Sequence, residues 1–182
     1  MNFRRPSLAA AACVASLLVL IAGCDKDKKG VVPPAELVDL KPTLAVQKLW
    51  DTGVGGGGEK LRLALGLALD GGVLYTAARG GEVIALDPAS GRTKWSQDTK
   101  ADLAAGPGVG ASLVAVGTSD GKVIALDVAS GKVLWQASVS SEVLSAPLVT
   151  GDRVIVRSVH GRVHALDALT GKQQWTGEEP VP

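Results

Sequence analysis

The chain has 182 residues, enough for one domain with a sizeable core, and 46% of them are hydrophobic although only 3% are aromatic. A formal charge of +1, from 19 basic and 18 acidic side chains, supplies no basic face for nucleic acid as a partner. The two cysteines, Cys13 and Cys24, both lie near the N-terminus, so the body of the protein holds neither a disulfide framework nor a cysteine metal site.

Met1 to Arg5 is a short basic segment. Leu8 to Ala22 is apolar apart from Ser16, and is short for a membrane span. It ends Ile21-Ala22-Gly23-Cys24 and gives way to polar Asp25-Lys26-Asp27-Lys28-Lys29. Small residues before a cysteine at the end of such a run resemble a bacterial lipoprotein signal. The resemblance implies cleavage between Gly23 and Cys24, removal of residues 1–23 as a signal peptide, and acylation of the Cys24 thiol. Several acyl chains on one residue anchor firmly where a single chain does not. The expected location is the periplasmic face of the outer membrane. In enteric bacteria, aspartate after the lipidated cysteine resembles a signal for inner-membrane retention, so Asp25 leaves the choice of membrane open.

Residues 24–46, with Pro33-Pro34 and Pro42 and no sustained period, read as an extended tether. Gln47 to Val54 places Trp50 in a β-like context. The glycine-rich stretch from Gly53 to Lys60 is not a phosphate-binding loop. Glu59 separates Gly58 from Lys60, and Leu61 stands where that loop needs a hydroxyl. It reads as a flexible connection.

From there the sequence repeats with a 40-residue period. Ala85, Asp87, Gly91 and Trp95 recur as Ala125, Asp127, Gly131 and Trp135, and again as Ala165, Asp167, Gly171 and Trp175. Ungapped repeats of this length are the mark of a repeat architecture. The copies span about residues 61–100, 101–140 and 141–178, within a body of residues 47–182. The second copy reads as four short strands, Leu103 to Val109, Leu113 to Thr118, Lys122 to Asp127 and Lys132 to Ala137, separated by turns at Gly110, Asp120-Gly121 and Ser130-Gly131. Val123 and Ala125 alternate with Ile124 and Leu126, so this strand is apolar on both faces and must be covered on both. A radial stack of four-stranded sheets, a β-propeller, achieves that.

The repeated residues suit such a stack. Each aspartate can accept hydrogen bonds from turn amides, and each glycine can take a positive φ as the turn ends. Ala85, Ala125 and Ala165 leave room for a large neighbour. Trp95, Trp135 and Trp175 supply it, each indole expected to pack between sheets with its N–H bonded. Identical recurrence marks packing residues rather than a single ligand pocket.

The pattern Ala-x-Asp-x-x-x-Gly-Lys-x-x-Trp resembles the tryptophan-docking motif of propellers related to the quinoprotein dehydrogenases, with Arg92 for the lysine in the first copy. Trp50 with its Gly-rich link to Leu61-Arg62, Leu144-Ser145-Ala146-Pro147, and the lipoprotein signal narrow the resemblance, from about Gly30 onward, to the BamB-like lipoprotein propellers of the outer-membrane barrel-assembly machinery. That implies an all-β, partial propeller of about three four-stranded blades of an eight-bladed type, with an extra N-terminal strand carrying Trp50. In the family such a strand closes the ring by completing the last blade. The implied role is a non-enzymatic scaffold with no cofactor, whose partner is the central barrel-assembly protein, BamA. The segment by which the family grips that protein follows the third blade, so no contact residue is assigned here. Three blades do not close a ring; a truncated product, or self-association through an open propeller face, is expected.

Two other functions stay open. One is an envelope lipoprotein propeller that senses a ligand or serves another complex. The other is a fragment of a quinone-dependent dehydrogenase, a class that the resemblance marks by a vicinal disulfide and a calcium site; this chain has no cysteine beyond Cys24, and its repeats supply no non-repeating acidic cluster. His160 and His164 could share a side of one strand, but two ligands do not make a metal site; a surface turn and a substituted packing position are expected. Arg153 and Arg157 break the apolar pattern where Leu113 and Gly117 stand one repeat earlier, and are expected to face solvent or a partner.

Overall fold

The structure is a computed structural model, and it describes residues 34–39, 41, 43–56 and 63–178. The chain divides into two units, Met1–Ala45 and Val46–Pro182. The described residues of the first are exposed and carry no helix or strand. Among the described residues the second holds thirteen strands and no helix.

Three antiparallel four-stranded sheets follow one another along the sequence as propeller blades. The first contains β2 (Leu67–Asp70), β3 (Val73–Ala77), β4 (Glu82–Leu86) and β5 (Thr93–Asp98). The second contains β6 (Leu103–Gly110), β7 (Leu113–Thr118), β8 (Lys122–Asp127) and β9 (Val133–Ser138). The third contains β10 (Leu148–Val149), β11 (Arg153–Arg157), β12 (Arg162–Asp167) and β13 (Gln173–Glu178). A two-residue strand, β1 (Ala64–Leu65), adds to the second sheet by pairing in parallel with β6, Ala64 opposite Ala105. Nothing in the sequence announced that parallel addition.

Hairpins set the register. Gly71 and Gly72 both take positive φ between β2 and β3, the two-residue turn whose twist matches the strands it joins. Ala111 and Ser112 hold the same turn between β6 and β7 with φ of 47° and 65° and no glycine. In every blade the third and fourth strands pair alanine with tryptophan: Ala85 with Trp95, Ala125 with Trp135, Ala165 with Trp175. The register then slips by a bulge at the next residue, which turns the strand toward the aspartate turn.

The core lies in two seams. Between the first and second blades, Tyr75, Val83 and Ala85 meet Val114, Ile124 and Leu126. Between the second and third, Leu113, Val123 and Ala125 meet Val154, Val156 and Leu166. The middle blade thus sends Val123 and Ala125 forward and Ile124 and Leu126 back, which is why its strand is apolar on both faces. Each such Leu, Ile or Val, fully buried, stabilises by roughly 1.5–3 kcal/mol. The first strands approach closely: a Cβ on Gly108 of β6 would lie 1.9 Å from the Pro147 carbonyl oxygen ahead of β10. Only a residue without a side chain fits there.

Candidate functional site

The repeated residues build one device three times. In each blade the aspartate at the end of the third strand folds the turn around its own carboxylate. Asp127 Oδ1 accepts the amide of Ser130 at 2.8 Å and its hydroxyl at 2.6 Å. Asp87 does the same with Ser90 and Asp167 with Thr170. The side-chain and amide hydrogen bonds from Ser90, Ser130 and Thr170 hold these three carboxyls below the ordinary carboxylate range. Each turn ends in a glycine, Gly91, Gly131 or Gly171, at φ of 70°, 73° and 69°.

A tryptophan from the preceding segment lies on each of those glycines. Trp135 donates its indole N–H to the carbonyl of Ala168 at 2.8 Å, and Trp95 donates to Val128 at 3.0 Å. A Cβ on Gly171 or Gly131 would stand 2.5 Å from the ring of Trp135 or Trp95. The glycine is therefore required twice, by its backbone and by the indole above it. The Tyr75 ring tilts against Trp95 with centroids 5.9 Å apart and completes the first seam.

Trp50 makes the same contact. Its indole N–H donates to the Pro88 carbonyl at 2.9 Å, and a Cβ on Gly91 would stand 2.5 Å from its ring. Trp50 thus sits on the first blade as Trp95 sits on the second. It does so from a segment that is not a strand: residues 45–54 carry no strand assignment, unlike the β-like context read from the sequence. Among the described residues their backbone joins no ladder, so the side chain is what docks.

Trp175 differs. It stands opposite Ala165 in β13 but is 45% exposed, and among the described residues no turn receives it. The face it shares carries Arg153, Ile155, Arg157 and Val163, where the second blade has Leu113, Ala115, Gly117 and Val123. Arg153 is exposed, bonding Gln174 at 2.8 Å and pairing with Asp152 at 3.3 Å; Arg157 is exposed beside Leu144 and Val159.

A match of the chain to a family model decides its kinship. The model, described as outer membrane protein assembly factor BamB, matches residues 44–105 and 79–182. The chain belongs to the BamB family. A BamB of Pseudomonas aeruginosa is 41% identical over 99 residues, covering 54% of this chain and 26% of that protein. The crystal structure of BamB from Moraxella catarrhalis superimposes with a TM-score of 0.60 at 29% identity, covering 67% of this chain and 37% of that one. A europium-containing methanol dehydrogenase follows with a TM-score of 0.53 at 28% identity, covering 64% and 25%. The chain spans about a quarter of the length of the curated BamB relatives it matches.

Within this BamB-family chain the two histidines go separate ways. His160 is exposed in a turn, while His164, in β12, is 3% exposed. His164 lies 3.1 Å by Nε2 from Ser140 Oγ and 3.0 Å by Nδ1 from Gln173 Oε1. It replaces Ile84 and Ile124 of the earlier blades with a hydrogen-bonded packing residue. No group of three or more metal-ligating side chains occurs among the described residues. Gly23, Cys24, Asp25 and the glycine-rich residues 57–60 lie outside the described residues.

The acceptors of the indole bonds were not found by sequence reasoning. Pro88, Val128 and Ala168 offer only a backbone carbonyl, and their side chains share nothing. The available signal was positional: each directly follows the repeated aspartate.

Proposed function

We propose that the chain is a non-enzymatic scaffold of the outer-membrane β-barrel assembly machinery, anchored at the periplasmic face by acyl chains on Cys24. One observation carries this reading: the BamB family match, which runs through all three blades. The fourth strands β5, β9 and β13 lie at the sheet edges, where unpaired backbone groups suit addition of an extended segment from an unfolded barrel protein. The proposed protein partner is BamA, the machinery's central component, and no contact residue is assigned to it.

Two measurements on the full chain in a host lacking its own BamB test this. Co-purification of BamA with the detergent-solubilised chain supports the scaffold; reproducible absence of BamA overturns it. Incorporation of labelled palmitate, lost in Cys24→Ala, supports the anchor; no label in the parent chain removes it. Fractionation of the labelled chain then reports the membrane. Inner-membrane recovery, the outcome Asp25 would favour in an enteric host, redirects the search to another envelope complex.

A further inference from the structure

The seam between the second and third blades holds a polar cluster that packing does not require. His164 of β12 is 3% exposed, and Ile124 and Ile84 fill the same position one and two repeats earlier. With Leu166 it faces the second blade, on the side of the sheet opposite Trp175. Its Nδ1 lies 3.0 Å from Gln173 Oε1, an acceptor only, so the ring proton sits on Nδ1. The neutral ring then leaves Nε2 bare, 3.1 Å from Ser140 Oγ. Ser158 Oγ, 3.1 Å from Ser140 Oγ, donates to the Arg162 carbonyl at 3.3 Å. Ser140 is thus the donor in reach of Nε2, and a buried ring nitrogen needs one. Ser140 itself is exposed, in the connection from β9 to β10. One repeat earlier, Lys100 and Val133 stand in place of Ser140 and Gln173, so hydroxyl, imidazole and amide enter the sequence together.

We infer that Ser140 is an activated nucleophile that accepts an acyl group from an ester, with His164 as its general base. A solvent-facing hydroxyl, a base within hydrogen-bond reach and a third group that orients the base are the parts such a site needs. Ser140 Oγ attacks the ester carbonyl carbon, and its proton passes to His164 Nε2. The bond from that carbon to the alcohol oxygen breaks, and the Nε2 proton leaves with the alcohol. The chain is left as an O-acyl serine. Gln173 is a positioning residue: by holding Nδ1–H it fixes the tautomer and aims the Nε2 lone pair at Ser140. The Ser141 and Glu142 amides, next along the chain, donate to no protein acceptor among the described residues, which leaves them free to bond a developing oxyanion. The claim is acceptance of an acyl group by the chain, and it is independent of the assembly role.

The test treats the full chain, solubilised in detergent, with a fluorophosphonate in place of the ester: the serine oxygen bonds phosphorus and fluoride leaves. Peptide mass spectrometry locates the adduct. Ser140 is expected to label, and the exposed Ser90 and Ser130 are not. His164→Ile, which copies the earlier blades, is expected to slow labelling about a hundredfold with the sheet circular dichroism unchanged. Gln173→Leu should also slow it, and Gln173→Glu, which keeps an acceptor, should restore it. No adduct at Ser140, labelling of Ser140 no faster than Ser90, or an unchanged rate in His164→Ile overturns the proposal. Equal rates in the two Gln173 variants overturn the positioning role. If His164→Ile loses its sheet signal, His164→Gln replaces it, polar but without a base. The same fall in rate is again required, and its absence is again decisive.

Discussion

Trp135 and Gly171 fit so closely that a single added methyl would stand 2.5 Å from Cε3 of the indole. The pair joins the second blade to the third, and its equivalents Trp95 with Gly131 and Trp50 with Gly91 repeat it. What holds successive sheets together is thus a large ring seated on a missing side chain, fixed by one hydrogen bond to the neighbouring carbonyl.

Gly171→Ala is expected to destabilise the chain by about 3 kcal/mol, combining the strain of a left-handed alanine with an overpacked seam. Gly151→Ala is the control: nothing lies within 4 Å of its position and its φ is not positive. Urea unfolding should show a lowered midpoint for the first and little change for the second.

Tryptophan truncation should be graded by docking. Trp135→Ala removes a ring 9% exposed together with its bond to Ala168, and should cost about 3–5 kcal/mol. Trp175→Ala removes a ring 45% exposed and should cost about 1 kcal/mol or less. Equal losses for the two, measured by urea midpoint at constant slope, would contradict the docking geometry.

How far the sequence disclosed this can be seen residue by residue. The strand reading Lys122 to Asp127 agrees with β8 residue for residue, because β-branched Val123 and Ile124 begin an apolar run with two covered faces between clear Gly turns. The second blade's fourth strand begins at Val133 rather than Lys132, because the Lys132 carbonyl is used to close the aspartate turn onto Asp127. Backbone groups explain what stayed hidden. The carbonyls of Pro88, Val128 and Ala168 have no residue signature, and the parallel pairing of Ala64 and Leu65 with β6 is too short to leave a pattern. Trp50 showed as an isolated tryptophan, but its partner on the first turn is a glycine and a carbonyl far along the chain.

The aspartate turns predict a pH dependence. Their carboxyls titrate below the ordinary value of 3.8 in the folded chain, held down by hydrogen bonds from Ser90, Ser130 and Thr170. A lowered folded value contributes stability that is complete above the unfolded value and is lost as pH falls through the folded one. The combined variant Asp87→Asn, Asp127→Asn and Asp167→Asn should therefore be less stable than the parent at neutral pH. The gap should narrow as the pH falls below 3.8. A gap that stays constant in acid, by urea unfolding across that range, would remove the carboxylates from the explanation.

The hairpin between β6 and β7 carries strain that glycine would relieve. Replacing Ala111 and Ser112 by Asn and Gly suits a turn with φ of 47° and 65°, and leaves the carbonyl at 112 that accepts Val128 N at 3.1 Å. The pair should raise stability by about 1 kcal/mol. A lowered thermal midpoint would show that the turn differs from the one described.

Hydrogen exchange of the four indole N–H groups, followed by proton–nitrogen NMR, tests the central claim most directly. Trp95 and Trp135 should exchange slowly, Trp50 more slowly than a free indole, and Trp175 fastest, because the first three are bonded to Val128, Ala168 and Pro88. Four indoles exchanging alike, or Trp175 protected above Trp135, would contradict a fold joined blade to blade by docked tryptophans.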